Sequence, residues 1–211
     1  MPSFELFLAF LAATAVFAYM PGPSMLYTAA QTLARGRRGG LMAALGLHLG
    51  GYAHVIAAAL GISALFHAAP SLYLALKIAG AAYLVWLGLD LLRRRAQPQA
   101  ALPAVEAGTG RRAFLQSVVV EVLNPKTAIF YIAFLPQFTD PAAAWSITAQ
   151  LMVLGVIVNV MFSSADLFCV ALAGAVVERF RRSGRAQRVA RMVGGMTLIG
   201  LGTNLALQRT S

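Results

Sequence analysis

The chain has 211 residues, of which 59% are hydrophobic and 11% charged, and its mean hydropathy is +0.73. A soluble domain carries about 25% charged and about 45 to 50% apolar residues, so this composition predicts a membrane protein. A spanning helix needs ~20 apolar residues, so the length allows about six spans and leaves no room for a soluble domain. The 17 Lys and Arg outnumber the 7 Asp and Glu, but they lie between apolar runs, so we predict no nucleic-acid partner. A single cysteine, Cys169, excludes a disulfide framework and a thiolate metal cluster.

Six charge-poor apolar runs predict six transmembrane helices. The chain begins MPSFELFLAF, with an acid and no Lys or Arg before the apolar stretch. This is the wrong charge for the start of a secretory signal, so we interpret the first run as a retained span. The predicted spans are residues 4–33, 39–65, 71–92, 113–135, 145–176 and 188–207.

The connections between these spans alternate in charge. The second and fourth connections, residues 67–70 and 136–144, contain no Lys or Arg. The other three hold 14 of the 17 basic residues: Arg35, Arg37, Arg38, Arg93, Arg94, Arg95, Arg111, Arg112, Arg179, Arg181, Arg182, Arg185, Arg188 and Arg191. Because cytoplasmic loops retain Lys and Arg, we expect these three connections inside and both termini outside.

The two halves of the chain show signs of an internal repeat. The first and fourth spans each carry a proline break, Pro21-Gly22-Pro23 and Asn124-Pro125. Since each half holds three spans, an odd number, the second copy must cross the membrane in the opposite sense. Aligning the third span with the sixth at one offset pairs Lys77 with Arg191, Gly80 with Gly194, Leu84 with Leu198, Gly88 with Gly202, Asp90 with Asn204 and Leu91 with Leu205. Chance similarity between helices rich in Ala, Gly and Leu is the alternative explanation.

The predicted fold is therefore an all-α integral membrane protein with six transmembrane helices in two inverted three-helix repeats. The first repeat covers residues 1–96, a cytoplasmic linker 97–112, and the second repeat 113–211. The linker contains QPQAALPAVEAGTG, a Pro-, Gly- and Ala-rich sequence without periodicity, which is typical of a flexible connection.

The first break predicts a binding site within the membrane. Pro21 and Pro23 flank Gly22, and a proline inside a helix costs about 3 kcal/mol because it lacks the amide hydrogen and clashes with the preceding turn. Backbone groups freed in this way must face protein or a watered cavity. A half-helix starting at Ser24 would offer free amides and a positive dipole end to an anion such as a carboxylate. Ser24, Thr28 and Gln31 fall on one face of this half-helix; a purely structural kink is the alternative.

The fourth span is the most polar. Glu121, Asn124 and Lys126 surround Pro125, about a dozen residues from each end of the span. A lone charge at this depth costs roughly 2.5 to 3.5 kcal/mol, so we expect these side chains to face inward and to compensate one another or a ligand. A Glu121–Lys126 pair that serves only helix packing is the alternative.

The fifth and second spans supply further polar candidates. Asn159, Ser163 and Asp166 recur at i, i+4 and i+7 and form a stripe on one helix face. Asp166 lies either in the same cavity or at the cytoplasmic boundary.

His54, in the second span, is a candidate proton-exchanging group. Because His48 and His54 do not share a helix face, we predict no metal site. The small residues of the second span provide for close helix approach within one subunit or in a homo-oligomer; they are Gly46, Gly50, Ala53, Ala57 and Gly61.

From end to end, the chain resembles the LysE/RhtB-type family of amino-acid exporters. The resemblance rests on PGPSMLYTAAQTLARGRRGGLMAALGLHLG, LKIAGAAYLVWLGLDLLRR and FLQSVVVEVLNPKTAIFYIAFLPQF, in this order. It implies a bacterial-type inner-membrane exporter of amino acids or related compounds that exchanges them for protons. It also implies that the paired motif positions, Pro21, Gly22 and Pro23 with Asn124, Pro125 and Lys126, are functional. Glu121 is not one of these positions, so its role depends on the intramembrane charge alone.

We therefore predict that the protein is a proton-linked exporter of an amino-acid-like substrate and not an enzyme. We expect it to lie in the lipid bilayer and to need no cofactor. The predicted substrate-binding residues are Pro21, Gly22, Pro23, Ser24, Thr28, Asn124, Pro125, Lys126 and Asn159, and the predicted proton-coupling residues are Glu121, Asp166 and His54. A cation or metal-ion exporter of similar architecture is one alternative, but its site would need several oxygen ligands. An intramembrane aspartyl enzyme using Asp90 and Asp166 is the other.

Overall fold

The computed structural model describes residues 4–20, 22–93, 110–172 and 184–207, and every regular element within these ranges is helical. The elements are α1 (Phe4–Ala18), α2 (Pro23–Ala68), α3 (Pro70–Arg93), α4 (Gly110–Val122), α5 (Pro125–Phe134), a 3-10 turn (Leu135–Phe138), α6 (Ile147–Leu172) and α7 (Gly184–Leu207). The predicted all-α class is confirmed. Pro21 and linker residues 97–109 lie outside the described residues, and α4 already begins at Gly110.

Three of the described helices are long and apolar enough to cross a membrane: Pro23–Ala68, Pro70–Asp90 and Ile147–Leu172. The bent pair α4 and α5 makes a fourth when the two helices are taken as one span. Large apolar side chains such as Leu60, Ile78 and Val160 are more than half exposed on the outside of these helices. Such surfaces suit contact with lipid rather than water, in keeping with a multi-pass membrane protein.

Helix α2 folds back on itself at Gly36. This glycine has φ 70° and ψ −177°, a left-handed conformation that a residue without a Cβ adopts at little cost. A Cβ on Gly40 would lie 2.1 Å from Thr32 Oγ1, whereas eight residues of straight helix would separate the two by about 12 Å. The two arms of α2, residues 23–35 and 37–68, therefore lie side by side. The turn falls between Arg35 and Arg37, within the predicted first connection.

Both predicted breaks are present as gaps between helices. Helix α1 ends at Ala18, and α2 begins at Pro23 with Gly22 as its N-cap in an extended conformation. Helices α4 and α5 meet at an angle of 44°. Asn124 caps α5, because its side-chain Oδ1 accepts a hydrogen bond of 3.0 Å from the amide of Lys126. A proline occupies the first turn of both α2 and α5, where its missing amide hydrogen costs little.

The helices pack through small residues and a buried aromatic core. α2 packs mainly against α4 and α6, and α3 packs mainly against α7. The α3–α7 contact is very close: a Cβ on Gly88 would lie 2.6 Å from the carbonyl oxygen of Gly195, and one on Gly202 would lie 2.8 Å from that of Ala81. Gly46 and Gly50 likewise admit α4 against α2, while Ala53, Ala57 and Gly61 face outward.

Candidate functional site

A polar cavity lies where the two breaks meet. It holds about 430 Å3 of space, including its open mouth, and is bounded by α2, α4, α5 and α6 together with the segment after α1. The lining residues are Ala18, Met20, Gly22, Pro23, Ser24, Met25, Leu47, Glu121, Asn124, Lys126, Thr127, Asn159, Phe162, Ser163 and Asp166. The fold therefore brings together polar groups that lie more than 140 residues apart in the chain.

Glu121 is held by hydrogen bonds from both breaks. Its Oε2 accepts from Ser24 Oγ of α2, in a very short contact, and from Asn124 Nδ2 at 3.3 Å. Its Oε1 accepts from Thr127 Oγ1 at 2.7 Å. Asn124 Nδ2 also donates to Ser24 Oγ at 2.8 Å. In all three contacts the carboxylate of Glu121 is the acceptor, so this buried network ties both breaks to one side chain.

Lys126 joins the second break to the first. Its Nζ donates to the carbonyl oxygens of Phe17 at 3.3 Å and Met20 at 3.0 Å, and it lies 4.5 Å from the centroid of the Phe17 ring. These carbonyls lie at the end of α1, where the helical ladder stops, and the Phe17 oxygen also accepts from the Met20 amide at 3.3 Å. Gly22 leaves room for this side chain, because a Cβ there would lie 2.8 Å from Lys126 Nζ.

The start of α2 presents amides to the cavity. Gly22 has no side chain to cap them, and no side-chain cap hydrogen bond is present. Pro23, Ser24 and Met25 all line the cavity. An uncapped helix start carries partial positive charge and free N–H donors, which suits an anionic ligand group.

Asp166 is a second acid on the opposite wall. It is 6% exposed and lines the cavity, which places it inside rather than at a solvated boundary. Within the described ranges its carboxylate has no hydrogen bond or ion pair. The carboxyl group lines the cavity and interacts electrostatically with Lys126, and no protein hydrogen bond occupies it, which leaves it available to a ligand group.

The rest of the α6 stripe also faces this cavity. Asn159 and Ser163 line it. Asn159 Nδ2 donates to the carbonyl oxygen of His48 at 3.1 Å, and Ser163 Oγ lies 2.5 Å from His48 Nδ1. The predicted stripe therefore contacts the second arm of α2 and the cavity together.

Three predicted site residues, Thr28, His54 and Pro125, lie outside the cavity lining. Thr28 is fully buried, and its carbonyl oxygen accepts from Thr32 Oγ1 at 2.7 Å. His54 Nε2 lies 2.7 Å from the backbone carbonyl oxygen of Glu121, so this ring nitrogen carries the hydrogen and supports the end of α4. Pro125 begins α5 beside the lining residues Asn124 and Lys126. Pro21 lies outside the residues that the structure describes.

Sequence reasoning missed Thr127 and His48 as partners of the site. Thr127 is six residues after Glu121, a spacing that would not bring the two together on one unbroken helix, so the bend creates their contact. His48 follows from no periodic pattern, because its partner Ser163 is 115 residues away. The one available signal for Thr127 was its position directly after the LNPK motif.

An aromatic stack lies next to the cavity and meets it at Phe162, whose ring contacts those of Phe17 and Phe130. Phe17 of α1 stacks on Phe130 of α5 with 4.2 Å between ring centroids, and Phe130 stacks on Phe134 at 4.3 Å. Phe10 and Phe138 continue the stack toward the 3-10 turn. All five rings are buried and belong to the hydrophobic core.

The cavity thus combines two carboxylates, one ammonium group and a helix start. This set fits a small ligand with charges of both signs. The described residues contain no group of three or more His, Cys, Asp or Glu that could hold a metal ion.

Broken helices around a buried polar cavity in a helical membrane protein are typical of a membrane transporter. The family model described as LysE type translocator matches residues 15–209, and the chain belongs to this family. The resemblance inferred from the PGP, LNPK and FLPQF motifs is therefore confirmed, and the chain is a LysE-family membrane transporter.

Two of the following relatives are named as efflux proteins. An uncharacterized membrane protein of Pseudomonas aeruginosa is 32% identical over 89% of this chain and 88% of its own. The homoserine/homoserine lactone efflux protein of Salmonella typhimurium is 31% identical over 73% of each chain. The leucine efflux protein of an Enterobacter species is 29% identical over 86% of this chain and 83% of its own. No solved structure matches the chain significantly.

Proposed function

We propose that this protein exports amino acids or closely related small metabolites across the inner (plasma) membrane in exchange for protons. The observation that carries the proposal is the cavity in which Lys126 and the uncapped start of α2 lie opposite Asp166. Groups of both signs around one small cavity suit a zwitterion, and burial strengthens each interaction with its charged ends.

The named relatives narrow the substrate class. The names of these relatives give their substrates as homoserine, homoserine lactone and leucine. All three carry an ammonium group on the carbon next to a carbonyl, whereas the lactone has no free carboxylate. We infer that this chain recognises the same α-ammonium unit, with a carboxylate as an additional but dispensable group.

The binding residues follow from the geometry of the cavity. The substrate carboxylate lies against the amides that follow Pro23, assisted by Lys126. Ser24, Asn124 and Asn159 supply neutral polar contacts, and Gly22 and Pro125 shape the two breaks. Glu121, which links both breaks, carries the exchanged proton; Asp166 and His54 are the other groups we predicted for this role.

We further propose that six spans form two inverted repeats, residues 1–96 and 113–211, with both termini outside. On this view α1 and the first arm of α2 make the first broken span, α4 and α5 the fourth, and α7 the sixth. The α3–α7 contact supports the repeat. The sequence alignment pairs Gly88 with Gly202 and, at the same offset, Ala81 with Gly195. If each residue is replaced by its aligned counterpart in the other half, the Gly88–Gly195 contact becomes the Gly202–Ala81 contact. Both contacts are present in the structure. A homo-oligomer stays a prediction.

Transport by the reconstituted protein tests the function. Uptake into inside-out vesicles is measured for leucine, homoserine, homoserine lactone and a panel of other amino acids, with and without an inside-acid proton gradient. Divalent cations are included as the competing substrate class. We expect gradient-dependent uptake of at least one amino acid. Uptake of a cation with none of the amino acids would contradict the proposal.

A further inference from the structure

We infer that Asp166 binds the substrate's α-ammonium group and that Glu121 does not bind it. The inference deepens the proposed amino-acid export and rests on it. It assigns each of the two cavity acids a separate task from its hydrogen-bond environment.

The carboxylate of Glu121 is already occupied. Its two oxygens accept hydrogen bonds from Ser24, Asn124 and Thr127, and these donors come from both sides of the double break. An ammonium group could reach Glu121 only by displacing these donors or by adding to a crowded acceptor. Such a substitution exchanges one set of hydrogen bonds for another, so it provides little net binding energy.

The carboxylate of Asp166 is in the opposite situation. It is as buried as Glu121, at 6% and 5% exposure respectively, yet no group in the described part of the chain donates to it. A ligand that supplies a cation stabilises the ionised form of this buried carboxyl group and gains a charge-assisted hydrogen bond without displacing a protein donor. Asp166 is thus the acid with the larger differential affinity for an ammonium group.

The cation on the opposite wall fixes the ligand's orientation. Lys126 lines the same cavity as Asp166, but the two do not form an ion pair in the described structure. Lys126 is instead tied to the carbonyl oxygens of Phe17 and Met20, beside the start of α2. An amino acid in the cavity therefore directs its ammonium group toward α6 and its carboxylate toward the first break.

The test compares leucine and homoserine with their amides, which keep the ammonium group and lack the carboxylate. Binding to the purified full-length protein is measured by calorimetry. Asp166→Asn should weaken binding of the acid and its amide alike, by about 10- to 100-fold. Lys126→Met should weaken binding of the acid only. Glu121→Gln should weaken binding of both ligands less than Asp166→Asn does. The matched control Asp140→Asn, which removes an exposed carboxylate outside the cavity, should change binding by less than about threefold.

A second measurement uses only the wild-type protein and so does not depend on the folding of a variant. Asp166 is modified with a hydrophobic carbodiimide, and the labelled residue is identified by mass spectrometry. Leucinamide should lower the fraction of Asp166 that becomes the N-acylurea, either by shielding the carboxyl group or, as an amine held beside it, by capturing the activated carboxyl as an amide with loss of the urea. 4-Methylpentanamide, which lacks the ammonium group, should do neither.

Two outcomes separate this inference from the proposed function. Wild-type binding of leucine or homoserine, with unchanged binding in Asp166→Asn or no fall in the N-acylurea of Asp166 with leucinamide, overturns the inference and leaves amino-acid export intact. Failure of the wild-type protein to bind any amino acid of the panel overturns the proposed function, and the assignment of Asp166 with it.

Discussion

Glu121 is the residue on which the two broken helices converge. Ser24 belongs to the first half of the chain, while Asn124 and Thr127 belong to the second, and all three donate to the same carboxylate. Protonation of Glu121 would remove an acceptor site that these donors share. A change in its charge would therefore loosen the contact between the two halves, which suits a group that couples proton movement to a conformational change.

Replacing Glu121 with glutamine tests this coupling. The substitution keeps the side-chain size but prevents a change of charge, so we expect gradient-driven export to fall at least about tenfold while substrate binding survives. The measurement is leucine uptake into inside-out vesicles across pH 6 to 8, with leucine exchange at zero gradient as the control. Normal export across this pH range would exclude a proton-carrying role for Glu121 and turn attention to His54 or to Asp166.

The position of Lys126 depends on the absence of a side chain at Gly22. A Cβ there would lie 2.8 Å from Nζ and 2.9 Å from Cδ of Lys126, and the flexible end of the lysine would move away. The Gly22 backbone is extended and accepts alanine without strain. We expect Gly22→Ala to weaken leucine binding about tenfold and leave leucinamide binding unchanged. Equal losses for both ligands would show that the substitution disturbs the whole cavity.

At the scale of an element, the first break provides free amides only while the helix stays open. Replacing Pro21 and Pro23 with alanine restores the missing amide hydrogens and allows α1 to continue into α2. We expect normal membrane abundance and lost export in the double variant. Transport at the wild-type rate would reduce the PGP motif to a packing kink.

The α3–α7 contact makes a prediction that tests the repeat. Valine at Gly88 or at Gly202 would collide with the backbone of the facing helix, and such overpacking costs about 1 to 3 kcal/mol. We expect both variants to lower the melting temperature of the purified protein by similar amounts, because the two positions are equivalent in the repeat.

The matched control for these variants is Gly200→Val. It makes the same change of helix propensity in α7, but nothing lies within 4 Å of a Cβ at Gly200. Its melting temperature should stay within a few degrees of the wild-type value. Destabilisation by Gly202→Val without destabilisation by Gly88→Val would argue against equivalent halves.

At the scale of the whole molecule, the distribution of arginines predicts the orientation in the membrane. Residues 93–95 and 111–112 are basic, so the connection between the halves should lie inside, whereas the C-terminus should lie outside. Reporter fusions at Gln97 and at Arg209 should therefore give opposite sidedness. The same sidedness for both would exclude the six-span topology and the inverted repeat.

Much of the site could be predicted from the sequence because its signals are local. Pro21-Gly22-Pro23 and Asn124-Pro125 are breaks in any fold, since proline removes a helical hydrogen bond wherever it stands. Charges such as Glu121 in an apolar run are costly unless they face protein, so their inward placement could also be inferred. The order of the PGP, LNPK and FLPQF motifs was enough to indicate the family.

Only the tertiary structure decided which of these groups meet. The sequence left Asp166 between cavity and boundary, because the depth of a residue depends on where its helix packs. It placed Thr28 beside Ser24 on one face, but Thr28 is fully buried and does not line the cavity. Thr127 reaches Glu121 only across a 44° bend. Composition and motifs fixed the class of the protein, because membrane insertion and proline geometry act locally; the division of tasks between two acids depends on contacts across more than 90 residues, which no local pattern contains.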